Sequence, residues 1–581
     1  MDRFWVASND DMQSATTDGW TTPSSLWGAQ PVATHELADR RCLILLGEPG
    51  IGKTTAVGDG KVLAPQSCFD SSFKIDLVGK ARESSVDRVF QGVLDQVGDG
   101  DVCLTVDGFD EAQRLIPGVF SVILDYLDNF GPERVWLRIV SRASDWEGRY
   151  TKDLERRFPS CVSMFLLPLT RANASEIAEA KDVDSQRFLF EVERKGVEAI
   201  AARPLTLDFL LRAYEIDGAL PSRSAKLYEM GLSALCEELS SDRAARQPRM
   251  VPGRAMEIAA RTAAVMAFGG KASIWLGPEV RASPEAVTVS QCVVRGVHWP
   301  TSVTTTEVEE VWRGGLFSGT VSRVWAHATF GEYLAARWIV THELSDSQVR
   351  ALLVADPPQY LYPRTRAVAA WLVAISPQKY GWLVGVDPAA FTLGTDVPSD
   401  DLRERVLRAI LDGEVDLDYR ERTDYRALRY PGLSRLLDDR VPTADGQSLE
   451  VAAAIAIQCE TQDVAEVFGR VALDTERPLR ERTIAATACE MLSRTHPTYQ
   501  LVPLATDSEE TRGGLDPVGR LELQGIGLRA SFPHALTVEG VLAILTPYEV
   551  KNVHGQYWRF VRDFADQLDD LDAPALAALR T

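Results

Sequence analysis

Residues 42–55 read Cys42-Leu43-Ile44-Leu45-Leu46-Gly47-Glu48-Pro49-Gly50-Ile51-Gly52-Lys53-Thr54-Thr55. A short apolar run is followed at once by G-x-x-x-x-G-K-[ST], from Gly47 to Thr54. Glycine at Gly47, Gly50 and Gly52 lets backbone N–H groups turn inward and cradle phosphate oxygens. A helix opening at Lys53 presents its positive end to the same anion. Lys53 is placed to neutralise β- and γ-phosphates, and the Thr54 hydroxyl, with Thr55 beside it, to meet a Mg2+ ion. A glycine loop with no ligand is the bland alternative. The strand before it and the helix after it argue against that.

Outward from this loop the pattern is α/β. Apolar runs at Cys42–Leu46, Phe73–Val78, Val102–Val106, Trp136–Ser141 and Met164–Leu167 alternate with helical stretches, as buried parallel strands do. The run Val102–Val106 leads into Asp107-Gly108-Phe109-Asp110-Glu111. Asp107 then falls at a strand's C-terminal end, where a Mg2+ carboxylate belongs. Asp110 and Glu111 follow within about one turn and can orient or deprotonate an attacking water. The run Val135–Val140 leads to Ser141-Arg142, which sets a cation where a γ-phosphate could be sensed. Taken alone, an arginine at a strand end is more often a surface ion pair.

Composition bounds the rest. The chain has 581 residues, is 45% hydrophobic and 25% charged, and carries a net charge of −21. At roughly 100–200 residues per domain this is several folded domains, not a disordered chain. So acidic a protein lacks the positive footprint of a sequence-independent nucleic-acid binder. The arginines at 420, 422, 426 and 429 read as a salt-bridged surface rather than a DNA patch. Eight cysteines, at 42, 68, 103, 161, 236, 292, 459 and 489, form no C-x-x-C pair, so buried, reduced thiols are expected rather than a zinc site. No signal peptide and no apolar run of about 20 residues is visible, which reads as a cytoplasmic protein off the membrane. The excess of arginine over lysine fits a GC-rich bacterial genome.

Residues 1–40 are polar and irregular and read as a lead-in segment. After about Leu169 the strand pattern stops. Residues 171–249 read as helical, with helices near Ala174–Ala180 and Leu205–Tyr214. Residues 250–345 mix helices with a β-rich piece around Leu316–Trp325. From 346 onward the chain is helical. Leu402-Arg403-Glu404-Arg405 and Leu479-Arg480-Glu481-Arg482 each open a helix, separated by roughly two periods of a 35–45-residue helical-pair repeat. Arg364–Ile375 and Leu449–Cys459 read as further helices of that series, giving a HEAT-like tail; an irregular helical domain is the alternative. The run Ala575–Thr581 has no polar cap, so a continuation of the solenoid is expected.

LLGEPGIGKTT, LTVDGFDEA and IVSR, in this order and spacing, resemble the NACHT branch of the STAND signalling NTPases. Ala202-Arg203-Pro204-Leu205-Thr206-Leu207 is similar to the NPLxL segment of that family, and Trp325–Ala336 to its F-x-H-x-[ST]-F-Q-E-Y-x-A-A signature. Arg203 stands where the family has Asn, Trp325 where it has Phe, and Gly331 where it has Gln. The resemblance covers about residues 41–345. It implies a P-loop NTPase core of parallel sheet over 41–170, a helical domain over 171–249 and a winged-helix domain over 250–345, ahead of the helical region 346–581. It also implies that the strand at Val135–Val140 lies between the P-loop strand and the Asp107 strand. Pro204 inherits an adenine contact and His327 a contact to the β-phosphate of ADP that holds the resting state.

The function implied is an ATP/ADP-gated, Mg2+-dependent switch. The nucleotide residues are Gly47, Gly50, Gly52, Lys53, Thr54, Thr55, Pro204 and His327. Thr54 and Asp107 serve the metal, and Asp107, Asp110, Glu111 and Arg142 serve slow hydrolysis. A trigger sensed by the tail, in bacteria a phage product, would open the molecule into a homo-oligomer, with the effector on a separate protein. Two other readings stay open: an AAA+-like ring that remodels other molecules, and a nucleotide-stabilised scaffold without turnover.

Overall fold

The computed structural model describes residues 2–7, 16–17, 19–22, 31–48, 50–58, 69–77, 80, 82–97, 100–116, 118–221, 223–241, 250–293, 302–355, 360–392, 395–413, 423–493, 499–545 and 555–569. The chain divides into two units, Met1–Ser376 and Pro377–Thr581.

The first unit is organised around a sheet of seven strands: Phe4–Ala7 (β1), Val32–Ala33 (β2), Cys42–Gly47 (β3), Ser71–Asp76 (β4), Val102–Asp107 (β5), Val135–Arg142 (β6) and Val162–Leu166 (β7). Their spatial order is β2-β1-β7-β3-β6-β5-β4. Strands β3 to β7 are parallel, and β1 runs antiparallel to both its neighbours. β3 is central because it carries no charge and every residue in it is buried. Its alternate side chains serve both faces. Cys42, Ile44 and Leu46 join a core with the helices Glu83–Leu94 and Val119–Phe130. Leu43 and Leu45 join Trp5, Val140 and Met164 on the other side. Each such side chain contributes about 1.5–3 kcal/mol by leaving water.

The strand at Val135–Arg142 lies between the Gly47 strand and the Asp107 strand, as the resemblance implied. The opening segment differs from expectation. It is not merely a lead-in, because Phe4–Ala7 extends the sheet along β7, with Trp5 opposite Leu166. Trp5 is fully buried, and its indole N–H donates to Thr34 Oγ1 at 2.9 Å. Thr21 is also tied down, its hydroxyl donating to the Pro168 carbonyl.

Beyond the sheet the unit is helical from Arg171 to Ser241 in its described residues, including Pro204–Asp217 and Ser224–Ser241. The helices Pro252–Gly269 and Thr305–Trp312 then pack on each other, and this part of the unit also holds a four-stranded sheet. That sheet ends in the hairpin Phe317–Gly319/Ser322–Trp325, and the helix Ala328–Thr341 follows. The helix Arg366–Ile375, read from the sequence as part of the tail, closes this unit instead. Trp371 packs against Tyr228 and Tyr333, with ring centroids 4.4 and 5.3 Å away.

The second unit is a stack of helices. Asp400–Leu411, Gly446–Gln458, Leu479–Leu492, Pro517–Ser531 and Gln556–Asp569 each pack on the next, with shorter helices between. One helix of the series, Gly446–Gln458, lies between the two helices with Leu-Arg-Glu-Arg openings. Arg482 is fully buried and donates to the carbonyls of Ala472 and Thr511, stitching successive layers. Gly525 is required by a close helix approach, because a Cβ there would lie 2.1 Å from the Tyr557 nitrogen.

Candidate functional site

Lys53, Thr54 and Thr55 follow the end of β3, and Asp107 and Arg142 end β5 and β6, at the C-terminal edge of the parallel strands, where the loops of open α/β sheets form their crevice. Gly47 closes β3 and lies opposite Arg142 at the end of β6. Gly50 and Gly52 adopt φ of +69° and +86°, a backbone region that side chains resist. Gly52 is also hemmed in, since a Cβ there would come within 3.1 Å of both Pro204 Cγ and the Arg3 guanidinium. Arg3 is buried and donates to the carbonyls of Ile51 (3.0 Å) and Leu167 (2.8 Å), so β1 buttresses the loop. Lys53 opens the short helix Lys53–Val57 and donates from Nζ to the carbonyls of Gly47 (2.9 Å) and Glu48 (2.8 Å). Thr54 and Thr55 occupy its first turn and are exposed, and Pro49 lies outside the described residues.

Asp107 ends β5. Its Oδ1 accepts from the Gly108 N–H at 3.0 Å, and its Oδ2 lies 3.2 Å from Lys74 Nζ on β4. Gly108 has φ +75°, which explains why a glycine follows the aspartate. The residue after it, Phe109, is buried among Phe120, Trp146 and Tyr150. Asp110 and Arg142 are brought together as a buried ion pair, Nε to Oδ2 2.8 Å. Two residues assigned separate roles, base and sensor, thus neutralise each other. Glu111 lies in the helix Phe109–Leu115, and its side chain is outside the described residues.

The opposite side of the loop is formed by residues from later in the chain. Pro204 begins its helix against Gly52. Arg203, beside it, is buried and lies 5.7 Å from the Phe330 ring centroid. His327 caps the helix Ala328–Thr341 and packs on Phe330. Burial and the Arg203 charge pull the His327 pKa down to about 4, so the ring is neutral at pH 7. Its Nδ1 accepts from the Thr329 N–H, which places the ring proton on Nε2. Tyr228 fixes the same threonine by donating to its hydroxyl at 2.9 Å. His327 feels the charge of Arg203, and both lie against Phe330.

The motif departures at Trp325 and Gly331 are one feature. A Cβ on Gly331 would sit 2.4 Å from Trp325 Nε1, so the larger ring occupies space that the glycine vacates.

Sequence reasoning missed a buried ion pair on the loop. Arg323, on the hairpin strand Ser322–Trp325, forms an ion pair with Glu48 of the loop, with side-chain exposures of 0% and 6%. The Gly319 N–H also donates to Glu48 Oε1 at 3.1 Å, and Arg323 donates to the carbonyls of Trp312 and Phe317. Burial lowers the Arg323 pKa while Glu48 opposes the shift. The partners are 275 residues apart in sequence. The available signal was local: strand alternation puts Arg323 on the buried face beside Trp325. Lys74 and Arg3 were also missed.

The surface arginines behave as expected where they are described. Arg426 pairs with Asp424 and Arg429 with Glu460, while Arg420 and Arg422 lie outside the described residues. Among the described residues no helix is long and apolar enough to cross a membrane. The chain matches no protein-family model and no curated protein. What is established is an α/β unit with a mostly parallel sheet, and a helical C-terminal region.

Proposed function

We propose that the chain is a nucleotide-gated switch of the NACHT-type STAND kind, built from a P-loop NTPase core, a helical domain, a winged-helix domain and a HEAT-like sensor tail. The observation that carries this reading is convergence on one loop. Glu48 and Gly52 meet the hairpin Arg323 and Pro204, residues far apart in sequence, at the end of the sheet where Lys53 and Asp107 also lie. The loop fits a phosphate group. It has left-handed glycines, a position where a Cβ would collide, a lysine on its own carbonyls and a strand-end carboxylate.

A bound Mg2+–nucleotide supplies a polyphosphate whose charge changes between its di- and triphosphate forms. Lys53, now on the Gly47 and Glu48 carbonyls, would hold phosphate oxygens, and Thr54 and Asp107 would hold the metal. Lys74 neutralises Asp107 until then. Arg142 offers a cation to the γ-phosphate, and Asp110, paired with it, serves more to position Arg142 than as a base. His327, neutral with its proton on Nε2, is a hydrogen-bond donor for the resting diphosphate state. Glu48–Arg323 ties the loop to the hairpin, so this pair would couple the phosphate site to the hairpin. Nucleotides can shift the two forms only by their difference in affinity for them.

The tail senses a trigger, a phage product in a bacterial cytoplasm, and the opened chain self-assembles and engages a separate effector. ATP turnover with sedimentation tests this. Slow turnover, with a monomer in ADP and a larger species after triggering, is expected. Fast turnover by a constitutive ring would favour a remodelling ATPase, and nucleotide-independent assembly without turnover a scaffold.

A further inference from the structure

We infer that Cys42 and Cys161 are a peroxide-reactive dithiol that closes into a disulfide at the foot of the phosphate-loop strand. The two sulfurs lie 3.0 Å apart, and both thiols are free. Their placement follows from register. Leu43 on β3 is the partner of Val162 on β7, so the residues preceding each are neighbours on adjacent parallel strands. Both side chains face the same core, Cys42 within it and Cys161 packed against it. Adjacent strands are about 4.8 Å apart, within the roughly 4.4–6.8 Å span between α-carbons that a disulfide accepts. The bridge therefore needs side-chain rotation and no separation of the sheet.

The two cysteines differ in access. Cys42 is fully buried, whereas Cys161 is half-buried in the turn between the helix Gly148–Arg157 and β7, its N–H on the Phe158 carbonyl. Burial and the neighbouring sulfur raise the Cys42 thiol, and Arg138 opposes the shift. Such a thiol is a poor first nucleophile and a well-placed second one. Among the described residues no third His, Cys, Asp or Glu joins them in a metal-holding group.

The chemistry balances with hydrogen peroxide as oxidant. The Cys161 thiolate attacks one peroxide oxygen, the O–O bond breaks, and hydroxide leaves and is protonated to water. Cys161 becomes a sulfenic acid, oxidised by two electrons. Cys42 then loses its proton and attacks the Cys161 sulfur. The S–O bond breaks, a second water leaves and the S–S bond forms. Two thiols and one peroxide give one disulfide and two waters.

Peptide mapping of the full chain, after peroxide treatment and alkylation under denaturing conditions, tests this. The expected result is a Cys42–Cys161 linked peptide, removed by dithiothreitol, with two of the eight thiols lost to titration. Cys42→Ser should instead accumulate a dimedone-reactive sulfenic acid at Cys161, and Cys161→Ser should leave Cys42 unoxidised. Wild-type protein in which both cysteines are alkylated after peroxide, or in which Cys161 proceeds to sulfinic acid while Cys42 stays a thiol, would overturn the inference.

Discussion

The two sides of the phosphate loop are built from different interactions. On the sheet side the charged groups are paired at strand ends: Lys74 with Asp107, Arg142 with Asp110, and Lys53 on the loop's own carbonyls. These partners are the groups a Mg2+–nucleotide would re-pair. On the far side, the hairpin reaches the loop through the buried Glu48–Arg323 pair, and His327 is held neutral. The Lys74–Asp107 pair is partly exposed and costs little to exchange, whereas breaking a buried pair, Arg142–Asp110 or Glu48–Arg323, leaves a charge stranded without water.

The sharpest way to break this comparison is at Arg323. Arg323→Ala should destabilise the first unit by about 3–5 kcal/mol, because Glu48 is left buried and unpaired. Glu48→Gln, which keeps an acceptor for the Gly319 N–H, should cost less. Denaturant unfolding measures both. Equal, negligible effects would remove the distinction between the two sides.

On the sheet side, Asp107→Ala should abolish Mg2+-dependent nucleotide turnover while changing stability little, since Lys74 is its partly exposed partner. Unchanged turnover would remove Asp107 from the site.

Gly331→Ala should cost about 1–3 kcal/mol by overpacking against Trp325. Gly331→Gln combined with Trp325→Phe should recover part of what Gly331→Gln loses alone. A strictly additive pair would show that the two departures are unrelated.

A further expected effect concerns pH. The His327 pKa falls from 6.5 to about 4 on folding, so its contribution to stability is present above pH 6.5 and is lost as pH falls toward 4. Glu332, one turn on, moves oppositely: burial raises it from 4.5 to about 7. Its contribution is present below pH 4.5 and is lost as pH rises through 7. Between about pH 4.5 and 6.5 the two cancel, each worth about 1.4 kcal/mol per pH unit at most. Glu332→Gln should therefore make stability rise with pH across this window, and His327→Gln should make it fall. Unfolding free energies across that window, flat in both variants, would contradict the assignments.

The sheet side was legible because its chemistry is local. Glycine spacing, apolar runs and strand-end acids lie within a few residues of each other, and the five parallel strands fall where the apolar runs do. On the far side, Pro204 and His327 were singled out only through resemblance, and of the two Pro204 lies against Gly52. Arg323 was not, because its partner is fixed by tertiary packing. Phe4–Ala7 was missed for the same reason. Four residues among polar neighbours carry no periodic signal, and their partner is β7. The tail's boundary slipped because Arg366–Ile375 is as apolar as the helices that follow, and only the packing of Trp371 assigns it to the first unit.

The proposed switch requires one nucleotide to be gripped from both sides of the loop. It is tested most directly by the identity and amount of nucleotide released when the purified chain is denatured in acid. About one ADP per chain in the wild type, and markedly less in His327→Ala, is the predicted result. No nucleotide, and no binding when ATP and Mg2+ are added, would contradict it.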